Sequence, residues 1–122
     1  MKRAHFIRAP AFFNLNHLFD SDFLRRGKIK EYYLRLSEIL RIYFERRFQI
    51  LAIESTTYEI IRALRQKSIE PELIRKIAEV LEAADLAKFA KWIPEPSQIL
   101  LLNQKSKQIV ELAKPGEASR GV

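Results

Sequence analysis

The sequence predicts an all-α fold, a compact bundle of about five helices with a long central helix and one or two short helical turns. Three observations lead there. The 122 residues include only 3 glycines and 5 prolines, too few for the frequent tight turns of a sheet protein. No run alternates apolar and polar residues as a half-buried strand does. Most of the chain instead repeats apolar side chains at i, i+3 and i+4. An apolar share of 48% and a charged share of 30% suit one domain with a real core. The expected domain covers residues 1–114. Residues 115–122, PGEASRGV after Lys114, lose the apolar period and are expected to form a disordered tail.

The breakers divide the chain into elements. A first helix is expected from Pro10 to Arg26, with Phe12, Leu15, Leu18, Phe19 and Phe23 as its buried side and Gly27 at its end. A long second helix follows from Lys28 to Phe48. The third starts at Thr56, where Thr56-Thr57-Tyr58-Glu59 is a capping box, and fades near Gln66-Lys67. Ser68 or Glu70 caps the fourth, whose first turn tolerates Pro71. Asp85 is expected to open a separate short piece, DLAKFAKW. Pro96 starts the last helix, with Ile99, Leu102, Ser106, Ile109, Val110 and Ala113 as its stripe.

Composition excludes several chemistries. The chain has no cysteine, hence no disulfide, thiolate-bound metal or thiol nucleophile. It has no Gly-rich phosphate loop and no G-x-S-x-G. Glu31, Glu38 and Glu45 recur every seven residues, but neither His5 nor His17 follows a glutamate by three, as a bundle di-iron site requires. No catalytic residue, cofactor or metal is therefore expected. No apolar run approaches the ~20 residues of a membrane span, and MKRAHFIRAPAFF is too interrupted for a signal peptide.

Charge narrows the class of partner. The net charge is +7, and residues 1–50 hold 11 Lys+Arg against 5 Asp+Glu, while residues 51–122 hold 11 against 10. Such a basic end suits nucleic acid, an anionic lipid surface, or simply a solvated face. The stretch YYLRLSEILRIYFERRF, residues 32–48, sharpens the choice. On a helical wheel Ile29, Tyr32, Tyr33, Leu36, Ile39, Leu40, Tyr43 and Phe44 fall within about 140°, so the rings face inward with the leucines. Arg35 and Arg41 stand at pairing distance from Glu31, Glu38 and Glu45. Leu34 and Ile42 lie off the stripe, which predicts a second element over that flank. Arg46 and Arg47 are left without a partner on the helix.

Helices three and four, with QKSIE between them, have the outline of a helix-turn-helix. The second of the pair carries Glu70, Glu72, Glu79 and Glu82 against Arg75 and Lys76, and it would repel phosphates. A basic nucleic-acid-binding domain stays as the alternative reading, carried by Lys28, Lys30, Arg46 and Arg47, but the pairing of charges argues against it.

Three stretches, KIKEYYLRLSEILRIYFERRF, AIESTTYEIIRAL and ADLAKFAKWIPEPSQ, together resemble the cytoplasmic C-terminal helical domain of bacterial BatD-like membrane proteins. The resemblance covers residues 27–97. Ile42 and Phe44 are ordinary variants of apolar sites in the first motif, and Gln49 stands where a glycine is expected. It implies a non-enzymatic interaction module at the inner face of the bacterial cytoplasmic membrane, downstream of a membrane span. It also implies a protein partner, either a MoxR-type AAA+ ATPase or a von Willebrand A-domain protein. The basic N-terminal half would then face the anionic leaflet. Asp85 and Phe89 read as structural, the aspartate capping the short helix and the ring seating it. Arg46, Arg47, Lys88, Lys91 and Trp92 are the candidate partner-binding residues, the last three because a tryptophan beside two lysines suits a contact hot spot.

Overall fold

In the computed structural model, which describes residues 2–89 and 93–113, every regular element is a helix. Their order is α1 (Lys2–Phe19), α2 (Asp22–Arg25), α3 (Ile29–Phe48), α4 (Thr57–Gln66), α5 (Pro71–Phe89) and α6 (Pro96–Ala113). No strand occurs among the described residues, and the expected all-α bundle is what forms. The tail expected at 115–122 lies outside the described residues.

The centre is α3. Its stripe of Tyr32, Tyr33, Leu36, Ile39, Leu40, Tyr43 and Phe44 is buried throughout, as the 100° spacing requires. Against it pack α1 on one side and α5 on the other, and α6 closes the bundle between them. The short α4 lies on α5. Asn103 is a buried polar side chain satisfied across the core. Asn103 donates its Nδ2 to the Leu15 carbonyl at 3.3 Å and to the Tyr32 hydroxyl at 3.2 Å. Burial pushes the Tyr32 and Tyr33 phenols up to about 12, the Asn103 bond opposing this at Tyr32.

Two boundaries differ from expectation at the N-terminal end. The first helix begins at Lys2, with Pro10 inside it, and not at Pro10. A proline removes one amide donor and strains the preceding turn, which costs about 3 kcal/mol but does not forbid helix on both sides. It also stops at Phe19 and not at Arg26. Ser21 ends it, because both its amide and its Oγ donate to the Leu18 carbonyl, at 3.1 and 2.6 Å. The single turn α2 then closes on Gly27, whose φ of +71° few other residues tolerate. Gly27 N–H reaches Leu24 O and Lys28 N–H reaches Phe23 O, the paired bonds of a Schellman stop.

The other caps explain the remaining boundaries. Gln49 takes the left-handed conformation, φ 57° and ψ 51°, that a glycine would take with less strain, so the turn expected of a glycine is kept. The Thr56 capping box forms in both directions, Glu59 N–H to Thr56 Oγ1 at 3.1 Å and Thr56 N–H to Glu59 Oε1 at 2.8 Å. Ser68 does not cap the fourth long helix. It sits at φ 59° and ends α4, and the Glu70 carbonyl takes the first bond of α5 from Ile74. Asp85 opens no new helix, because α5 runs unbroken through it to Phe89. Buried Ala84 and Ala87 continue the stripe of Val80 and Leu81 there, and the Asp85 carboxylate is engaged across the fold.

Candidate functional site

Along α3 an open groove of about 750 Å³ is left uncovered by any helix among the described residues. Four segments line it: Phe23 from α2, the groove-facing side chains of α3 between Glu31 and Arg41, the α3–α4 connector 53–56 with Thr57 at the start of α4, and Asp85, Lys88 and Phe89 from the end of α5. Three of these four segments belong to the stretches that carry LSEILR, AIESTT and ADLAKF, some fifty residues apart in the chain at the extremes and adjacent in space.

The floor is polar and built around Arg41. Only 9% exposed, this arginine donates Nε to Ser37 Oγ at 2.8 Å and Nη1 to the Ala52 carbonyl at 3.0 Å and the Ser55 carbonyl. Burial pulls its pKa down, with Asp85 acting in the opposite direction. It thus fastens the connector to α3. The expected pairing of Arg41 with Glu38 and Glu45 is not the one that forms. Helical spacing places those groups near each other, but the connector folds over Arg41 and offers it two carbonyls, that of Ala52, which also accepts from the Ser55 amide at 3.2 Å, and that of Ser55. Glu45 instead accepts from the amides of Ala52 and Ile53, at 3.0 and 3.2 Å, which hold its carboxyl below the usual range. Arg35 pairs with Glu38 and not with Glu31.

The α5 wall is joined to the start of α4 by one short bond, Thr57 Oγ1 to Asp85 Oδ2 at 2.6 Å. Lys88 Nζ lies 3.6 Å from Asp85 Oδ1 and 5.3 Å from the centroid of the Phe89 ring. Asp85 therefore acts as a tie between helices and not as the cap of a short one. Phe89 seats nothing, since the ring is 81% exposed at the lip of the groove. Leu34 at 44% and Ile53 at 48% stand on the other walls. Among the described residues no second element covers Leu34, while Ile42 is half-buried beside Pro10 and Asn14 of α1.

The candidate residues do not gather in one place. Lys88 belongs to the groove. Arg47 is half-buried and donates its Nε to the carbonyl of Ala113, the last residue of α6, with its guanidinium 5.0 Å from the Phe48 ring. Burial lowers its pKa. Its charge is spent on a helix C-terminus, where a cation is favoured. Arg46 is exposed beside a small cleft of about 90 Å³ shared with Pro10, Asn14 and Tyr43. Lys91 and Trp92 lie outside the described residues. Wheel reasoning missed Arg41, Ser37, Thr57 and the two glutamates Glu31 and Glu54 as parts of one site. The signal that could have joined them was the three motif segments, which carry polar residues off the apolar stripe.

No group of three or more His, Asp or Glu among the described residues is placed to hold a metal ion. None of the described helices is long and apolar enough to cross a membrane. Comparison with protein-family models, with curated proteins and with solved structures found no match to this chain.

Proposed function

We propose that this domain is a non-enzymatic protein-interaction module, the cytoplasmic part of a membrane-anchored protein that works with a MoxR-type AAA+ ATPase and its von Willebrand A-domain partner. What supports the reading is the convergence of the three motif segments on one uncovered groove. A segment kept only for packing would turn its side chains into the core. Here Leu34, Ile53 and Phe89 point outward from three different elements, held by a buried arginine and a Thr–Asp tie. Rigidly presented apolar side chains around a polar floor are what a partner surface needs. The test is a calorimetric titration of the chain with the ATPase and the A-domain protein from the same genome, alongside the Phe89→Ser variant. Saturable binding weakened by the variant supports the reading; no binding at low salt to either protein counts against it.

A second contact fits the same setting. Arg26, Lys28 and Lys30 are exposed at the α2–α3 corner and have no ion pair among the described residues. Each such cation close to an anionic leaflet contributes about 1 kcal/mol. Co-sedimentation with phosphatidylserine vesicles, falling steeply with salt and with the triple change of these residues to glutamine, is the expected result. Equal affinity for a mixed oligonucleotide pool would favour the nucleic-acid alternative instead.

A further inference from the structure

The groove is acidic on a basic protein. Its walls carry Glu31, Glu38, Glu54 and Asp85 against Arg35, Arg41 and Lys88, in a chain of net charge +7. The cations are already engaged. Arg35 is held by Glu38, Lys88 by Asp85, and Arg41 by Ser37 and two backbone carbonyls. Two of the carboxylates are not engaged: neither Glu31 nor Glu54 has an ion pair or a side-chain hydrogen bond among the described residues. The same groove is lined by the exposed apolar side chains Leu34, Ile53 and Phe89.

From this we infer that the groove takes a segment of a protein partner in which an arginine or lysine stands next to an apolar side chain. The inference rests on the interaction reading of the same groove. Each simpler occupant leaves something unsatisfied. A phosphate, a nucleic-acid backbone or an anionic headgroup would meet Glu31 and Glu54 with no free cation to receive it. A wholly apolar segment would cover the ring of Phe89 but would strip water from two carboxylates and give nothing back. A small polar ligand would leave the three apolar side chains wet. A basic side chain beside an apolar one pairs with the glutamates and covers the rim at once. Arginine suits the place best, because its planar fork can address a carboxylate in two bonds while its stem lies along the Phe89 ring.

The test is selection of phage-displayed random heptapeptides on the full chain. The enriched sequences are then synthesised and titrated by fluorescence anisotropy against the wild type, Phe89→Ser, Ile53→Ser and the double variant Glu31→Lys with Glu54→Lys. All of these positions are solvent-facing, and circular dichroism melts confirm which variants are folded; Ile53→Ser, on the connector, stands in for Phe89→Ser. The expected enrichment is Arg or Lys within two positions of Leu, Ile, Phe or Met. Binding should weaken by at least about tenfold in the apolar variant and again in the charge-reversed one. Peptides that are acidic or uncharged, or that bind the charge-reversed variant as well as the wild type, overturn the basic chemistry. If those same peptides still lose affinity on Phe89→Ser, the groove itself remains a partner site and only its ligand class is wrong. No enrichment at all, or peptides indifferent to both rim variants, overturns the groove as a docking site together with the inference.

Discussion

The two sides of α3 carry similar residue types and have opposite fates. On the closed side Tyr32, Leu36, Leu40 and Phe44 are wholly buried, covered by α1, α5 and α6. On the open side Leu34 stands half in water in the groove that Arg41 also lines, and none of the described helices comes over it. The arginines make the same contrast. Arg35 is an ordinary exposed ion pair, Arg41 is a buried fastener, Arg47 caps α6, and Arg46 points to solvent. Residue type therefore says little here about role. What decides it is whether another part of the chain arrives with unpaired carbonyls or with apolar surface.

The contrast can be broken or sharpened by mutation, and the largest effect is expected on the closed side. Leu40→Ala should cost about 2–5 kcal/mol in urea unfolding, because α3 is enclosed there and cannot collapse around the cavity. A loss under about 1 kcal/mol would mean that the closed side is as loose as the open one. Next comes the floor of the groove. Arg41→Ala removes the guanidinium donor from the Ala52 and Ser55 carbonyls, leaving Ala52 only its bond from the Ser55 amide, and should cost about 1–3 kcal/mol, with faster hydrogen exchange confined to the connector. Uniform loss of protection across α3 would instead assign Arg41 to the core.

Smaller effects separate the neighbours. Arg47→Ala should lower stability by about 1 kcal/mol through the uncapped end of α6, while Arg46→Ala should stay within about 0.5 kcal/mol. Matching melting curves for the two would remove the distinction drawn between them. Glu45 gives a pH signature. Its carboxyl is held low by the Ala52 and Ile53 amides, so its stabilisation is complete above the ordinary glutamate value and is lost as pH falls through the lowered folded value. Glu45→Gln should flatten the fall in thermal midpoint across that acid window, and an unchanged acid slope would show the contact to be idle. Phe89→Ser should move stability least, by no more than about 0.5 kcal/mol, since the ring touches mainly water and Lys88. A large loss there would place Phe89 back among the structural residues.

Much of the scaffold was readable along the chain because helices are written in local terms. The stripe of α3, the capping box at Thr56 and the stop at Gly27 depend on residues within one or two turns of each other. Boundaries failed where a local rule met a competitor. Pro10 is tolerated inside α1, Ser21 breaks the helix that apolar spacing would continue, and Asp85 looked like a cap because its real acceptor role lies with Thr57, 28 residues earlier.

The candidate site was legible only as three unconnected motifs. Spacing on one helix could pair Arg41 with its own glutamates but could not know that the connector would present carbonyls to it. Nor could it know that Arg47 would meet the end of α6, 66 residues away, or that Leu34 and Phe89 would be left uncovered at the edges of the same groove. By itself, then, the sequence determined the helical class, the inward stripe of α3 and the caps, since those interactions close within a few residues. Only the tertiary structure decided which charges are spent and which remain, because a guanidinium or carboxylate is claimed by whichever distant backbone group the packing of apolar faces brings within reach.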